Sequence, residues 1–113
     1  MLSKDQHCLD SILESIKKIQ IYTSKFENPD QFNDNHLAFD AVMMNFMVIG
    51  EMIPKISEDL QNLHPEIEWV KLKGFRNLVA HDYFGIDAEE VWQIINNDLP
   101  VLQKQAIAIL RKS

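Results

Sequence analysis

The chain has 113 residues and a mass of 13.2 kDa, with 11 Lys and Arg against 17 Asp and Glu, so its formal net charge is -6. A chain of this length forms one domain, residues 1–113, with a modest core. Its acidic balance excludes coating of DNA or of an anionic membrane by the surface as a whole, and leaves only local contact with nucleic acid.

A single cysteine, Cys8, excludes an intrachain disulfide, and no Cys/His cluster has zinc-ligand spacing. Neither a metal nor another cofactor is therefore expected. The opening MLSKDQHCLD lacks the basic-then-apolar layout of a signal peptide. The longest apolar run, AVMM-N-FMVI, is interrupted by Asn45 and reads as too short for a bilayer. No membrane association is expected, and the expected location is the cytoplasm.

Only 3 glycines and 4 prolines occur, and no stretch alternates polar and apolar residues at strand spacing. The elements should all be helices. A first helix is predicted from Ser3, where Ser3 and Gln6 have capping-box spacing. Leu9, Ile12, Leu13, Ile16 and Ile19 give it one apolar stripe, Cys8 packs beside that stripe, and Asn28-Pro29 stops it. The loop ENPDQFNDN leads to a second helix from about Asn35 to Leu60. Its middle, Ala41 to Ile49, is apolar nearly all round, more than one small bundle can hide. The surplus face, carrying some of Val42, Met43, Phe46 and Met47, is expected to pack on a second subunit. Pro54 cannot donate to the Gly50 carbonyl, which predicts a kink.

His64-Pro65 marks the next turn, and a third helix is predicted from about Glu68 to His81 with Gly74 inside it. Gly85 ends this region. Asp87, with Glu90 three residues on, predicts the cap of a fourth helix. Val91, Trp92, Ile95, Leu99, Leu102, Ala106 and Ile109 form its stripe, and Pro100 bends it. The expected fold is all-α: a four-helix bundle with a short third helix, dimerising.

Residues 75–84 read FRNLVAHDYF and carry the candidate chemistry. Asn77 and His81 are four apart and stack on one helix face, where the amide can select an imidazole tautomer or hold a phosphate oxygen. Arg76 lies five before His81, about 140° around an ideal helix at ~100° per residue. One helix does not aim both at one atom. Either the long Arg side chain bends round, or two copies of the helix share a site. Phosphodiester cleavage without a metal needs a proton shuttle near neutral pH and a cation on the phosphate, roles that suit His81 and Arg76. Lys71 and Lys73 lie one turn upstream, where they widen an anion patch or simply face water. On spacing alone, His81 also reads as a helix-end histidine and Tyr83 as a boundary aromatic.

RNLVAHDY matches the R-N-x-x-x-H-x-Y motif of the HEPN superfamily, in the version carried by HepT-like toxin ribonucleases. The surroundings resemble that family too: Ile49-Gly50-Glu51, Trp69, Phe84-Gly85-Ile86-Asp87 and VWQIINNDLP, so the resemblance covers most of the chain. It implies a HEPN-type helical bundle and a metal-independent endoribonuclease whose substrate is RNA rather than DNA. The enzyme would act as a homodimer with a composite cleft. Arg76 and His81 would be the catalytic pair and Asn77 their support, with Glu51 and Lys73 as accessory candidates. Glu51 either orients the site, pairs across the dimer or faces water. The partner implied is a cognate minimal nucleotidyltransferase, the antitoxin of a toxin–antitoxin pair, which transfers AMP onto the motif tyrosine, here Tyr83. A non-catalytic module that binds a nucleotidyltransferase is the alternative, and a purely structural bundle is disfavoured by the intact Arg76, Asn77, His81 and Tyr83 set.

Overall fold

Polar groups at helix ends decide where this chain starts and stops its elements, and they divide it more finely than its apolar periodicity suggests. A computed structural model describes residues 1–80 and 87–112, and within them every regular element is helical.

Helix α1, Ser3–Thr23, buries Cys8, Leu9, Ile12, Ile16 and Ile19 as expected. Its cap differs from the expectation. Leu2 occupies the N-cap without a side-chain bond, so Ser3 is the first helical residue and the capping box is absent. The Thr23 hydroxyl donates back to the Ile19 carbonyl at 2.8 Å and that of Ser24 to Ile21 at 2.9 Å, and the helix stops there, before Asn28-Pro29. Those two residues start a further helix instead. Asn28 accepts from the Gln31 amide at 2.9 Å and Pro29 supplies a first-turn φ, which opens α2, Pro29–Asp34, in the stretch expected to be loop. Phe32 of α2 is fully buried among Phe26, Phe39 and Trp92, with ring centroids 6.2, 5.2 and 6.0 Å away.

Asn35 caps α3, His36–Met52, by accepting from Ala38 at 3.0 Å. The expected kink at Pro54 is a break. A 3-10 turn, Ile53–Lys55, follows, and Ser57 caps a separate α4, Glu58–Leu63, through the Leu60 amide at 3.2 Å. The carbonyls of Ile53 and Ile56 at the break accept from the side-chain amide of Gln61 at 3.1 and 3.2 Å. The buried Asp5 of α1 accepts from both the Ser57 amide (2.7 Å) and its hydroxyl (2.6 Å), which ties the break to the first helix.

The third expected helix divides at Gly74 into α5, Trp69–Lys73, and α6, Phe75–Ala80. Asp87 caps α7, Ala88–Gln93, through the Glu89 amide at 2.9 Å rather than by reciprocal pairing with Glu90. The helix then continues through a π-helical turn, Ile94–Asp98, into α8, Leu99–Arg111. The Leu99 amide reaches back to Ile94, so the widened turn absorbs the amide missing at Pro100.

The four-helix expectation thus keeps its all-α class but merges elements that the structure separates. Helix α3 is central, with α1 and α6 packed against it and α8 against α1. Of the four candidates for a surplus face, Val42, Met43 and Phe46 are buried in the chain's own core with Ile49, and Met47 is partly exposed. The exposed side of α3 carries Leu37 (84% exposed) and Met44 (60%), with Ala41 and Val48 partly exposed on the same face. Residues His36–Lys55, 20 in all with mean hydropathy 1.4, are long and apolar enough to cross a membrane, longer than the interrupted run suggested. A central core helix has the same composition, and the buried residues of α3 pack inside the molecule.

Candidate active site at the crossing of α3 and α6

The site is built on a close approach of two backbones. A Cβ at Gly50 would stand 2.5 Å from the Arg76 amide nitrogen and 2.9 Å from the Arg76 Cβ, so any larger residue would push α6 away from α3. Phe75, buried, packs edge-on against Phe46 of α3 with centroids 5.2 Å apart at 85°, and fixes the rotation of α6. With Phe75 turned inward, Arg76 emerges at the edge of the crossing.

There its Nη1 lies 3.5 Å from Oε1 of Glu51, and the two side chains are 43% and 44% exposed. An arginine has five N–H donors, and this contact engages one edge of the fork. The guanidinium is accessible to an anion such as a phosphate while its position is biased by a carboxylate. Glu51 also continues the exposed face of α3, since Leu37, Ala41, Met44, Val48 and Glu51 follow at spacings of four and three. The Arg76–Glu51 pair therefore stands at the end of an exposed apolar stripe.

Asn77 is exposed, and its amide donates to the Gly74 carbonyl at 2.9 Å as α6 begins. Lys71 is drawn elsewhere, 3.2 Å from Asp98 in the π-helical turn and 3.8 Å from Glu68, while Lys73 is exposed. His81 and Tyr83 lie outside the described residues, as do Phe84, Gly85 and Ile86. The structure thus brings Glu51 to Arg76 and sets Asn77 beside it in sequence, and it turns Lys71 to a different surface.

Away from this crossing, burial and the neighbouring Asp5 push the Cys8 thiol above its ordinary pKa, as befits an inert packing residue. Among the described residues no group of three or more His, Cys, Asp or Glu side chains is arranged to hold a metal. Gly50 is the site residue that sequence reasoning missed. Its signal was present: one residue without a side chain in an otherwise bulky helix, directly before Glu51.

Comparison with known proteins agrees with the motif. A family model described as "Ribonuclease HepT-like" matches residues 12–109. The chain is similar to "Probable ribonuclease HepT" of Thermococcus cleftensis, 34% identical over 95 residues that cover 84% of this chain and 86% of the relative. It is also similar to "Putative RNase MJ1380" of Methanocaldococcus jannaschii, 32% identical over 97 residues, 86% of this chain and 88% of that one. A third relative from that organism, "Gamma-glutamylcyclotransferase and putative RNase MJ0434", is 30% identical over 92% of this chain, which spans only 46% of its length. No solved structure matches the chain. With the family model running from the middle of α1 into the last turn of α8 and the R-N-x-x-x-H-x-Y motif intact, the chain belongs to the ribonuclease HepT-like family and is by that membership an RNA-cleaving enzyme.

Proposed function

We propose that the chain is a metal-independent endoribonuclease that works as a homodimer, in which two copies of the Arg76–His81 motif line one cleft. One observation carries this reading. The half-exposed Arg76 guanidinium stands where the exposed stripe of α3 ends, so a second copy covering Leu37, Ala41, Met44 and Val48 would bring its own α6 toward the first. In the reaction Arg76 holds the scissile phosphate and the charge that develops on it. His81 takes the proton of the neighbouring ribose 2′-hydroxyl or returns one to the leaving 5′-oxygen. The 2′-oxygen forms the new bond to phosphorus as the P–O5′ bond breaks, which confines the enzyme to RNA. Asn77 supports the pair.

The same reading makes the chain the toxin of a toxin–antitoxin pair. Its partner is a cognate minimal nucleotidyltransferase that transfers AMP from ATP to the Tyr83 hydroxyl, with release of pyrophosphate. Tyr83 follows His81 by two residues, so an added nucleotide brings bulk and negative charge into a cleft that must accept RNA phosphate. The test is cleavage of single-stranded RNA by purified wild-type, Arg76→Ala and His81→Ala proteins. Loss in both variants is expected, and equal rates in all three would assign the cleavage to a contaminant. Intact mass after incubation with the nucleotidyltransferase and ATP should show the adduct on wild type and not on Tyr83→Phe.

A further inference from the structure

The Gly50–Glu51 step of α3 does more than carry an apolar stripe to its end. We propose that Glu51 is a positioning residue for Arg76, held in range of the guanidinium by the glycine before it; the inference rests on the ribonuclease reading of this site.

An arginine side chain has many rotors, which let the guanidinium sweep a wide volume from a fixed Cα. A reaction that needs the fork on one phosphate loses rate when the fork must be found anew each time. Two features of the crossing restrict that search. Gly50 lets the Arg76 backbone press onto α3, so the Cα is fixed at its nearest approach to the helix. One residue later, Glu51 places a carboxylate oxygen 3.5 Å from Nη1 and engages one edge of the fork. Both groups are nearly half exposed, so the pair adds little to the stability of the fold. Its role is orientation.

The same carboxylate repels an incoming phosphate, and this gives the proposal a signature that a structural role lacks. Removing the charge should loosen Arg76 and lower kcat while leaving RNA affinity equal or slightly improved. A residue needed only for folding would instead lower thermal stability and the active fraction.

The test uses a fluorescent single-stranded RNA of mixed sequence, with wild-type and His81→Ala proteins as controls. Glu51→Gln should reduce kcat by about tenfold or more, with KM changed by less than about twofold and an unchanged Tm. Glu51→Asp, which keeps the charge on a shorter stem, should fall between. In an Arg76→Lys background the effect of Glu51→Gln should shrink to less than about twofold, because the group it positions is gone. Equal kcat for wild type and Glu51→Gln, or the same loss in the Arg76→Lys background, overturns the proposal while the ribonuclease reading stands. Wild-type cleavage no faster than that of His81→Ala overturns the reading and this inference with it. A readout independent of activity is the Arg76 Nε–H resonance, assigned by its loss in Arg76→Lys. It should be sharp in wild type and broaden in Glu51→Gln, and an unchanged signal refutes the contact.

Discussion

Helix α3 has two apolar faces that are alike in composition and opposite in circumstance. Val42, Met43, Phe46 and Ile49 are buried to 1% exposure or less against the chain's own helices. Leu37 and Met44, with Ala41 and Val48 between and beyond them, stand on the exposed side. The first face stabilises the folded chain by removing apolar surface from water, at about 25 cal/mol per Å². The second, left largely open to water, contributes far less of that kind to a lone copy. Hydrophobicity alone therefore does not say what a helix face is for; the neighbours that cover it do.

The largest expected difference between the faces comes from truncating the buried one. Phe46→Ala removes a fully buried ring that also contacts Phe75, and should cost about 3–5 kcal/mol, a large share of the stability of a domain this size. Urea unfolding should show the loss as a lower midpoint with unchanged slope. Because Phe75 fixes α6, RNA cleavage should fall as well, even in molecules that remain folded.

Gly50→Ala tests the seam between the faces. It adds one methyl where 2.5 Å separates the site from the Arg76 amide, and backbone cannot yield as a flexible side-chain tip does. Overpacking of this kind typically costs about 1–3 kcal/mol. The expected result in urea unfolding is a loss in that range, accompanied by a fall in cleavage rate, since α6 carries Arg76 outward. A variant as stable and as active as wild type would show that the crossing can open without consequence.

How much of this was legible in the sequence differs from element to element. Helical class, the stripe of α1 and the cap at Asp87 follow from periodicity and residue chemistry, which are local. The residue that breaks an element was seen, but the outcome was not. Pro54 reads as a kink until Asp5 is found holding the amide and hydroxyl of Ser57, 52 residues further along the chain, and making a new helix start favourable. Asn28-Pro29 reads as a stop, although an Asn cap followed by proline at the first helical position is equally a start. The surplus face of α3 is misplaced in part, with Val42, Met43 and Phe46 of its four candidates buried and Met47 alone partly exposed, for a plainer reason. Periodicity shows that the helix has more apolar surface than one side can bury, but only tertiary packing decides which side α1 and α6 cover. At the site, motif spacing singled out Arg76 and Asn77, whereas the contact of Arg76 with Glu51 depends on a helix crossing that no local pattern encodes. His81 and Tyr83 remain assigned by motif, outside the described residues.

The start of α3 offers a smaller effect that touches neither face. Asn35 accepts from the Ala38 amide at 3.0 Å, so Asn35→Ala leaves one first-turn donor without its side-chain partner. The expected cost is about 1 kcal/mol, read as a reduced urea midpoint, with cleavage unchanged because the site lies at the far end of the helix. A loss of activity beyond the loss of folded protein would mean that the ends of α3 are coupled.

The exposed face should give the smallest effect on stability and the clearest effect on assembly. Met44→Lys places a charge at a position 60% exposed to water in the single chain, where nothing in its own core is disturbed. Its effect on the folding of a lone copy should be within about 0.5 kcal/mol. In a dimer that covers this face, two such charges related by symmetry would be removed from water without partners, and each lies on the stripe that leads to Glu51 and Arg76. Sedimentation velocity should therefore resolve a dimer for wild type and a monomer for Met44→Lys. RNA cleavage should fall in parallel and recover as protein concentration is raised enough to restore association. A Met44→Lys protein that remains dimeric and fully active would place the subunit contact on another surface, and would leave the apolar side of α3 without the role that sets it apart from its buried counterpart.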